Sequence, residues 1–298
     1  MFRHAAALII TASLLLSACG TADEKTSDDS ASTSKPSTTI QEEQSNSNPI
    51  ETAEPETSGT DPSNGKTTET NEESEPPKQI QTERHVDKTY HMNENYYIKP
   101  NDDKSPSKVV LLTFDDGPKE EKMINSLIDT LDKHNAKAIF FVNGYRVKSH
   151  PELLKLIHER NQIVGNHAWD HEDLKKMSTA EAAKQVTDVQ KIVKDTIGEE
   201  PQFFRPPFGS GNDALKATVK KNGMLYMTWS NGSLDWDKST KNKPEKVIQN
   251  VLDQLNPGSN ILMHELPWTV EALDELLTKL EKKGYSFVDP RAIELEAR

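Results

Sequence analysis

Short apolar runs alternate with longer amphipathic runs from about residue 85 to the end of the chain. The short runs have the length and composition of buried strands, and the longer runs repeat their apolar residues at helical spacing. This alternation predicts βα units assembled around a largely parallel sheet or barrel. A region of about 210 residues is long enough to bury one sizeable core.

The same pattern places the individual elements. We predict strands over residues 108–114, 138–143, 162–165, 203–205, 224–229, 260–263 and 285–288. We predict helices over residues 120–133, 151–159, 179–196, 212–221, 244–255 and 270–282. Several helix ends are supported by an early proline or a following glycine, at Pro151, Pro244, Gly198, Gly223 and Gly284. The pattern of residues 85–107 leaves open whether they add a strand or continue the segment before them.

The amino-terminal residues have the layout of an export signal. Arg3 precedes an apolar run over residues 5–16, and the tetrapeptide Leu-Ser-Ala-Cys ends at Cys19. Because a transmembrane helix needs about 20 apolar residues, we expect a cleaved signal over residues 1–18. Cys19 is the only cysteine, which excludes an intramolecular disulfide and a cysteine-based zinc site. The tetrapeptide resembles the lipobox of bacterial lipoproteins, which implies lipidation of Cys19; a chance cysteine near a cleavage site is the alternative.

Residues 20–84 consist largely of Ser, Thr, Glu, Asp, Pro and Asn. Such a segment cannot bury enough apolar surface to offset its ordering entropy, so we expect a disordered acidic linker over residues 19–84. It holds 15 acidic and 5 basic residues of a chain whose net charge is −12, which leaves the remainder nearly neutral. No basic stripe is present, and we therefore expect no nucleic acid partner.

Two adjacent carboxylates follow the first predicted strand. Asp115 and Asp116 precede the turn Gly117-Pro118, where backbone geometry can aim the two side chains differently. One could then bind a metal ion while the other transfers protons. A turn that merely caps the next helix is the alternative. In isolation the motif favours the capping turn, although its position just after a strand is where barrel enzymes carry their active sites.

Two histidines follow the third predicted strand. His167 and His171 are four residues apart and can converge on one cation if the backbone makes one helical turn. Together with one aspartate they would form a site of three protein ligands that is open to water, as catalytic zinc requires. A purely structural histidine pair is the alternative.

Further polar residues follow later strands. Arg205 precedes two prolines that hold the backbone extended, and it is free to pair with a carboxylate. Two further groups of this kind are Asp235 with Trp236, and His264 after Leu262-Met263. Taken singly, His264 could be a satisfied core histidine and Trp236 a packing residue.

Five short motifs of this sequence resemble, in the same order, those of the polysaccharide deacetylases. They are Thr-Phe-Asp-Asp-Gly-Pro, His-x3-His, Arg-Pro-Pro-Phe-Gly, Asp-Trp and Leu-Met-His. This family is the fourth family of carbohydrate esterases and has the NodB homology domain. The resemblance covers about residues 107–290. It implies an α/β fold, a distorted (β/α) barrel with about seven parallel strands, in a catalytic domain over residues 85–298.

The resemblance also implies roles for the metal site and the base. Asp116, His167 and His171 match the metal ligands, with Zn²⁺ as the expected ion and Co²⁺ as an alternative. Asp115 matches the base that takes a proton from the attacking water, and Arg205 the residue that orients this base.

The remaining roles follow in the same way. His264 matches the acid that protonates the leaving amine, and Asp235 the residue that tunes this acid. Phe208 would offer its backbone N–H to the oxyanion, and Trp236 with Leu262 would form the apolar pocket for the acetyl methyl. This chain departs from the common pattern at Phe208, where many members have Tyr, and at Glu265, where Asp is commoner. We expect Glu265, with the proline that follows it closely, to reshape the rim beside the acid.

These expectations predict hydrolytic deacetylation of N-acetylated sugars in an extracellular polysaccharide. We expect peptidoglycan first, at N-acetylglucosamine or N-acetylmuramic acid, then chitooligosaccharide, then O-acetylated xylan. A lipid anchor on Cys19 would hold a monomer at the outer face of a bacterial membrane. A non-catalytic glycan-binding lipoprotein and a hydrolase of small C–N bonds are the alternatives.

Overall fold

The structure is a computed structural model that describes residues 86–297. The predicted signal (1–18), the predicted linker (19–84) and Cys19 lie outside these residues. Across 86–297, no helix is both long and apolar enough to cross a bilayer. Because residues 1–85 lie outside the described part, the domain boundaries proposed from the sequence stay predictions.

Ten strands and seven α-helices alternate along the described part of the chain. The strands are β1 (Tyr90–Met92), β2 (Ile98–Pro100), β3 (Val109–Gly117), β4 (Ala138–Val142), β5 (Ile163–Asn166), β6 (Phe203–Phe204), β7 (Leu225–Tyr226), β8 (Asn231–Gly232), β9 (Ser259–His264) and β10 (Ser286–Phe287). The helices are α1 (Glu121–Lys133), α2 (Gly144–Ser149), α3 (Pro151–Glu159), α4 (Thr179–Ile197), α5 (Asp213–Lys221), α6 (Pro244–Asp253) and α7 (Pro267–Lys282).

The main sheet is parallel throughout. Its strand order is β7-β6-β5-β4-β3-β9-β8, and the short strand β10 pairs with the beginning of β3. This arrangement confirms the predicted distorted barrel of about seven parallel strands. The central strand β3 carries Asp115 beside His264 of β9 in the pairing register.

One segment joins the two ends of this strand order. We predicted a strand over residues 224–229, but the strand β7 covers only Leu225–Tyr226, and the separate strand β8 that follows was not predicted. Tyr226 of β7 pairs with Phe204 of β6, whereas Gly232 of β8 pairs with Leu262 of β9. The chain between them therefore crosses from one edge of the sheet to the other, and a continuous strand could not pair with both edges.

Residues 90–100 resolve the question that the sequence left open. β1 and β2 form an antiparallel hairpin outside the main sheet, and the Ile98 N–H donates to Gly258 O at 2.8 Å. Met92 and Ile98 are fully buried in a cluster that contains Val109 and Leu111. The hairpin thus covers apolar side chains at the beginning of β3.

Side-chain alternation along β3 separates two cores. Val110, Leu112 and Phe114 pack in a large cluster with the surrounding helices, whereas Val109 and Leu111 pack in a second cluster with Phe141, Phe203 and Met227. This second cluster fills the inside of the barrel. Alternate residues of a strand share a face, so the inner series continues to Thr113 and Asp115.

Helix boundaries largely follow local capping. α4 begins with a capping box between Ser178 and Glu181 and ends at Gly198 in the left-handed conformation. The short helix α2 was not predicted, because six residues are too few to show a helical period. α7 begins at Pro267, three residues before the predicted start.

Close packing inside the barrel gives a stability prediction. A β carbon at Gly165 would lie 2.5 Å from Phe141 Cδ1 and 2.8 Å from Ile139 Cγ2. We expect Gly165→Ala to lower the free energy of unfolding by about 1–3 kcal/mol in urea denaturation, because the ring must shift. Gly232→Ala is the matched control, since its β carbon meets nothing closer than 3.5 Å. Equal stability of the two variants would contradict this account of the barrel interior.

Candidate active site

The loops at the carboxyl ends of the parallel strands bring the predicted polar residues together. Asp115 and Asp116 end β3, the histidine pair follows β5, Arg205 follows β6, and His264 ends β9. Asp235 arrives from the loop after β8. Residues distant in sequence meet because parallel strands all end at the same rim of the barrel.

Arg205 lies inside the barrel with no solvent exposure. Its Nη1 donates to Asp115 Oδ1 at 2.7 Å and to Thr113 Oγ1 at 2.8 Å. Its Nη2 donates to Asn260 Oδ1 at 3.1 Å, and its Nε to Thr228 O at 3.1 Å. Burial lowers the pKa of Arg205 and the charge of Asp115 opposes this change, so the guanidinium stays charged and holds the carboxylate.

The second carboxylate points in another direction because the backbone turns at it. Asp116 has a φ of 65°, in the left-handed region, which breaks the alternation of β3. Its Oδ1 lies 3.4 Å from His167 Nε2 and 3.2 Å from His171 Nε2. One acidic side chain therefore faces Arg205 and its neighbour faces the two imidazoles.

His167 is held in one orientation by its other nitrogen. Its Nδ1 lies 2.7 Å from Arg205 O, and a carbonyl oxygen can only accept, so Nδ1 carries the proton and donates. The lone pair of Nε2 then faces Asp116. Outer hydrogen bonds of this kind fix the tautomer of metal-binding histidines.

The Asp116, His167 and His171 side chains fit a divalent cation. Their ligand atoms lie within 4.8 Å of one another. Asp116 Oδ1 is buried and makes no hydrogen bond within residues 86–297, so a buried charge lacks a donor there. Burial alone would raise the pKa of Asp116, but the neighbouring histidines hold it well below its usual range. Two imidazoles and one carboxylate suit Zn²⁺ and related transition metals.

His264 lies across the site and is held by Asp235. The imidazole Nδ1 is 2.7 Å from Asp235 Oδ1, and Nε2 is 4.0 Å from Asp116 Oδ2. Burial by itself lowers the pKa of His264, but the hydrogen bond and charge of Asp235 outweigh burial and raise it above its ordinary value. The ring is therefore suited to donate a proton from Nε2 near neutral pH.

Aromatic side chains surround the open side of the site. Phe208 is 65% exposed and lies edge-on to His171, with ring centres 4.6 Å apart. Trp236 is 45% exposed and contacts the rings of His264 and Trp229. Of the three predicted substrate-binding residues, these two are accessible, whereas Leu262 is buried in β9.

Several residues that hold the site were not identified from the sequence. Asp235 Oδ2 accepts hydrogen bonds from the His264 N–H and from Thr269 Oγ1, both at 2.7 Å. Trp268 Nε1 donates to Asp235 O at 2.7 Å. Thr113 and Asn260 could have been recognised from the sequence, because they are polar residues within otherwise apolar strands. Nothing in the sequence marks Trp268 and Thr269 at the start of α7 in this way.

Glu265 is not where the sequence analysis expected it. It is 1% exposed and lies beneath the turn after β3 instead of at the rim. Its Oε2 accepts a hydrogen bond from the Lys119 N–H at 2.8 Å, and Oε1 has no hydrogen-bond partner within residues 86–297. A β carbon at Gly117 would lie 2.0 Å from Oε1. Burial raises the pKa of Glu265 to about 7.

Comparisons with known proteins agree with this arrangement. Residues 102–227 match the family described as polysaccharide deacetylase. The peptidoglycan-N-acetylmuramic acid deacetylase PdaC of Bacillus subtilis (strain 168) is 34% identical over 229 residues, which cover 73% of this chain and 47% of that protein. This chain thus spans less than half the length of that relative.

Solved structures show the same similarity. The structure of Bacillus subtilis PdaC has 36% sequence identity and a TM-score of 0.55, with coverage of 61% of this chain and 87% of that chain. A Bacillus anthracis protein described as a pseudoenzyme of carbohydrate esterase family 4 has 30% identity and a TM-score of 0.58, with coverage of 61% and 63%. Because most of a solved peptidoglycan deacetylase aligns with it at this level of identity, the chain belongs to the polysaccharide deacetylase family.

Proposed function

We propose that this protein hydrolyses the acetamide group of N-acetylated sugars in a polysaccharide. The observation that carries the proposal is the convergence of three groups on one point. The unpartnered Asp116 Oδ1 faces two imidazoles, the Asp115 carboxylate lies beside them, and His264 closes the far side. A base and an acid on opposite sides of a cation site are what amide hydrolysis requires.

A divalent cation held by Asp116, His167 and His171 would polarise the acetyl carbonyl and lower the pKa of water. Asp115 would accept the proton of that water, and Arg205 fixes the direction of its carboxylate through the hydrogen bond to Oδ1. Asp115 Oδ2 lies 3.7 Å from His167 Nε2, so it borders the same space. Two of the Arg205 donors also bond Thr113 and Asn260, which restrains the ion pair in the barrel interior.

His264 is the proposed acid for the leaving amine. Asp235 bonds both its ring and its backbone N–H, so the imidazole keeps one orientation and its proton. Phe208 adopts a left-handed φ of 59°, which turns the backbone at the edge of the site where its N–H could reach an oxyanion. Trp236 over His264, with Leu262 below, would receive the acetyl methyl.

Peptidoglycan is the proposed substrate, with chitooligosaccharide and O-acetylated xylan as alternatives. The curated relative named above is a peptidoglycan-N-acetylmuramic acid deacetylase, and others are named peptidoglycan-N-acetylglucosamine deacetylases. Zn²⁺ is the proposed metal, on the donor set alone, and Co²⁺ is the alternative. The lipobox-like sequence supports export and a lipid anchor on Cys19 at the outer face of the membrane, where a monomer would meet the cell wall.

Acetate release tests the activity. We expect the zinc-loaded protein to release acetate from purified peptidoglycan or from N-acetylglucosamine oligomers, and a chelator to stop it. Asp115→Asn should lower kcat by about 10²–10⁴-fold while retaining metal, because it removes the base. His167→Ala should lose both metal and activity. His150→Ala, an exposed histidine outside the site, is the control.

A folded, metal-loaded protein that releases acetate from none of these glycans would contradict the proposal. Glycan binding without release would instead favour a non-catalytic binding lipoprotein. One structural relative is described as a pseudoenzyme, so an inactive member of the family has a precedent.

The His264–Asp235 pair predicts a pH dependence. Asp235 raises the pKa of His264, so the protonated acid persists to higher pH and kcat falls only as pH passes above that pKa. Asp235→Asn removes the negative charge, lowers the pKa, and should move the alkaline limb of the pH–kcat profile to lower pH. Asp237→Asn, an exposed carboxylate on the same loop, should leave the limb in place. An unmoved limb in Asp235→Asn would refute the assignment of His264 as the acid.

A further inference from the structure

Lys119 and Arg146 are two cations near the site that the fold does not use. Within residues 86–297, neither the Lys119 amine nor the Arg146 guanidinium makes a hydrogen bond or an ion pair, and Arg146 Nε is buried without a partner. The guanidinium lies over the ring of Tyr145, with its centre 5.0 Å from the ring centroid. The other three arginines within residues 86–297, Arg160, Arg205 and Arg291, each pair with an aspartate, so the unpaired Arg146 stands out and calls for a ligand.

Lys119 is fixed at the edge of the reacting groups. It follows the turn that carries Asp115 and Asp116, and its backbone N–H is bonded to Glu265. Burial lowers the pKa of Lys119, and the charges of Asp116, Glu265 and Asp235 act against this change. The ammonium therefore lies close enough to these carboxylates to feel their charge, without pairing with any of them.

Arg146 is fixed on the neighbouring loop. It lies in the first turn of α2, and the start of this helix is bonded to the histidine loop. The Gly144 N–H donates to Ala168 O at 3.1 Å, and the Tyr145 N–H donates to Trp169 O at 3.2 Å. Tyr145 is 37% exposed, so an aromatic face accompanies the guanidinium at the surface.

Neutralisation of Glu265 does not explain the two cations. Neither reaches its carboxylate within ion-pairing distance, and the one donor on that carboxylate is a backbone N–H. With its pKa raised to about 7, Glu265 also carries less than a full charge near neutral pH. The cluster formed by Lys119, Arg146 and Glu265 is therefore net positive.

We propose that Lys119 and Arg146 bind a carboxylate carried by the glycan, beside the sugar whose acetyl group is removed. This inference rests on the proposed function and names a feature of its substrate. A guanidinium matches the two oxygens of a carboxylate, an ammonium adds a point charge, and Tyr145 offers an apolar face for a sugar ring. Peptidoglycan carries such groups on the lactyl ether of muramic acid and on its stem peptides.

Binding and turnover with matched glycans test this inference. The substrates are neutral N-acetylglucosamine oligomers, peptide-free glycan strands with free lactyl carboxylates, the same strands with these carboxylates converted to methyl amides, and strands that retain stem peptides. The variants are Lys119→Met, Arg146→Met, their combination and Arg146→Lys. Lys122→Met, an exposed lysine on α1, is the control.

We expect the protein to bind and deacetylate carboxylate-bearing strands about tenfold better than their methyl amides, as charge-assisted hydrogen bonds allow. The double variant should lose this preference, Arg146→Lys should regain part of it, and Lys122→Met should keep it. A preference seen only with peptide-bearing strands would support the inference and assign the carboxylate to the peptide.

The inference is overturned if the protein binds strands and methyl amides equally, or if the double variant keeps the preference. Calorimetric binding needs no turnover, so it decides the question even if acetate release fails. Equal rates of acetate release from carboxylate-bearing strands and from their methyl amides would be compatible with the proposed function but would contradict this inference.

Discussion

The site depends on one buried ion pair. Arg205 enters the barrel interior above a cluster of apolar side chains, and its guanidinium holds Asp115 of β3. Its carbonyl oxygen orients His167, which belongs to another loop. A single residue thus fixes the proposed base, Asp115, through its side chain and an imidazole of the candidate metal site through its backbone. A buried guanidinium without such partners would be costly, so the fold and the site require each other.

The backbone reverses direction at the points where the loops present their groups. Four of the eight non-glycine residues with left-handed φ within residues 86–297 lie on loops around the site, at Asp116, Ala168, Phe208 and Leu234. Each such conformation costs about 1–2 kcal/mol. The strained turns are tolerated because strands on either side fix where each loop begins and ends. Residues in such strained conformations are common at active sites.

Sequence reasoning predicted the elements with strong local signals and the residues with distinctive chemistry. Parallel strands such as β3 and β4 are long apolar runs, and the five ordered motifs identified the polar residues that the structure brings together. It failed where pairing partners decide the outcome. The strand predicted over residues 224–229 is only partly formed, and the following residues of β8 pair with the other edge of the sheet, a division that no local pattern encodes. Because Glu265 is polar and follows His264, we predicted that it lies at the rim of the site. It is instead buried, in the space that Gly117 of another loop leaves free.

The Glu265 carboxylate fills the space that a side chain at position 117 would need. The carboxylate lies where a β carbon of residue 117 would be, and it is kept there by the Lys119 N–H. A side chain at position 117 therefore requires the Glu265 carboxylate to move, whereas a shorter acid at position 265 would leave more space. The length of the acid at position 265 thus sets how large a residue the turn after Asp115 and Asp116 can hold at position 117.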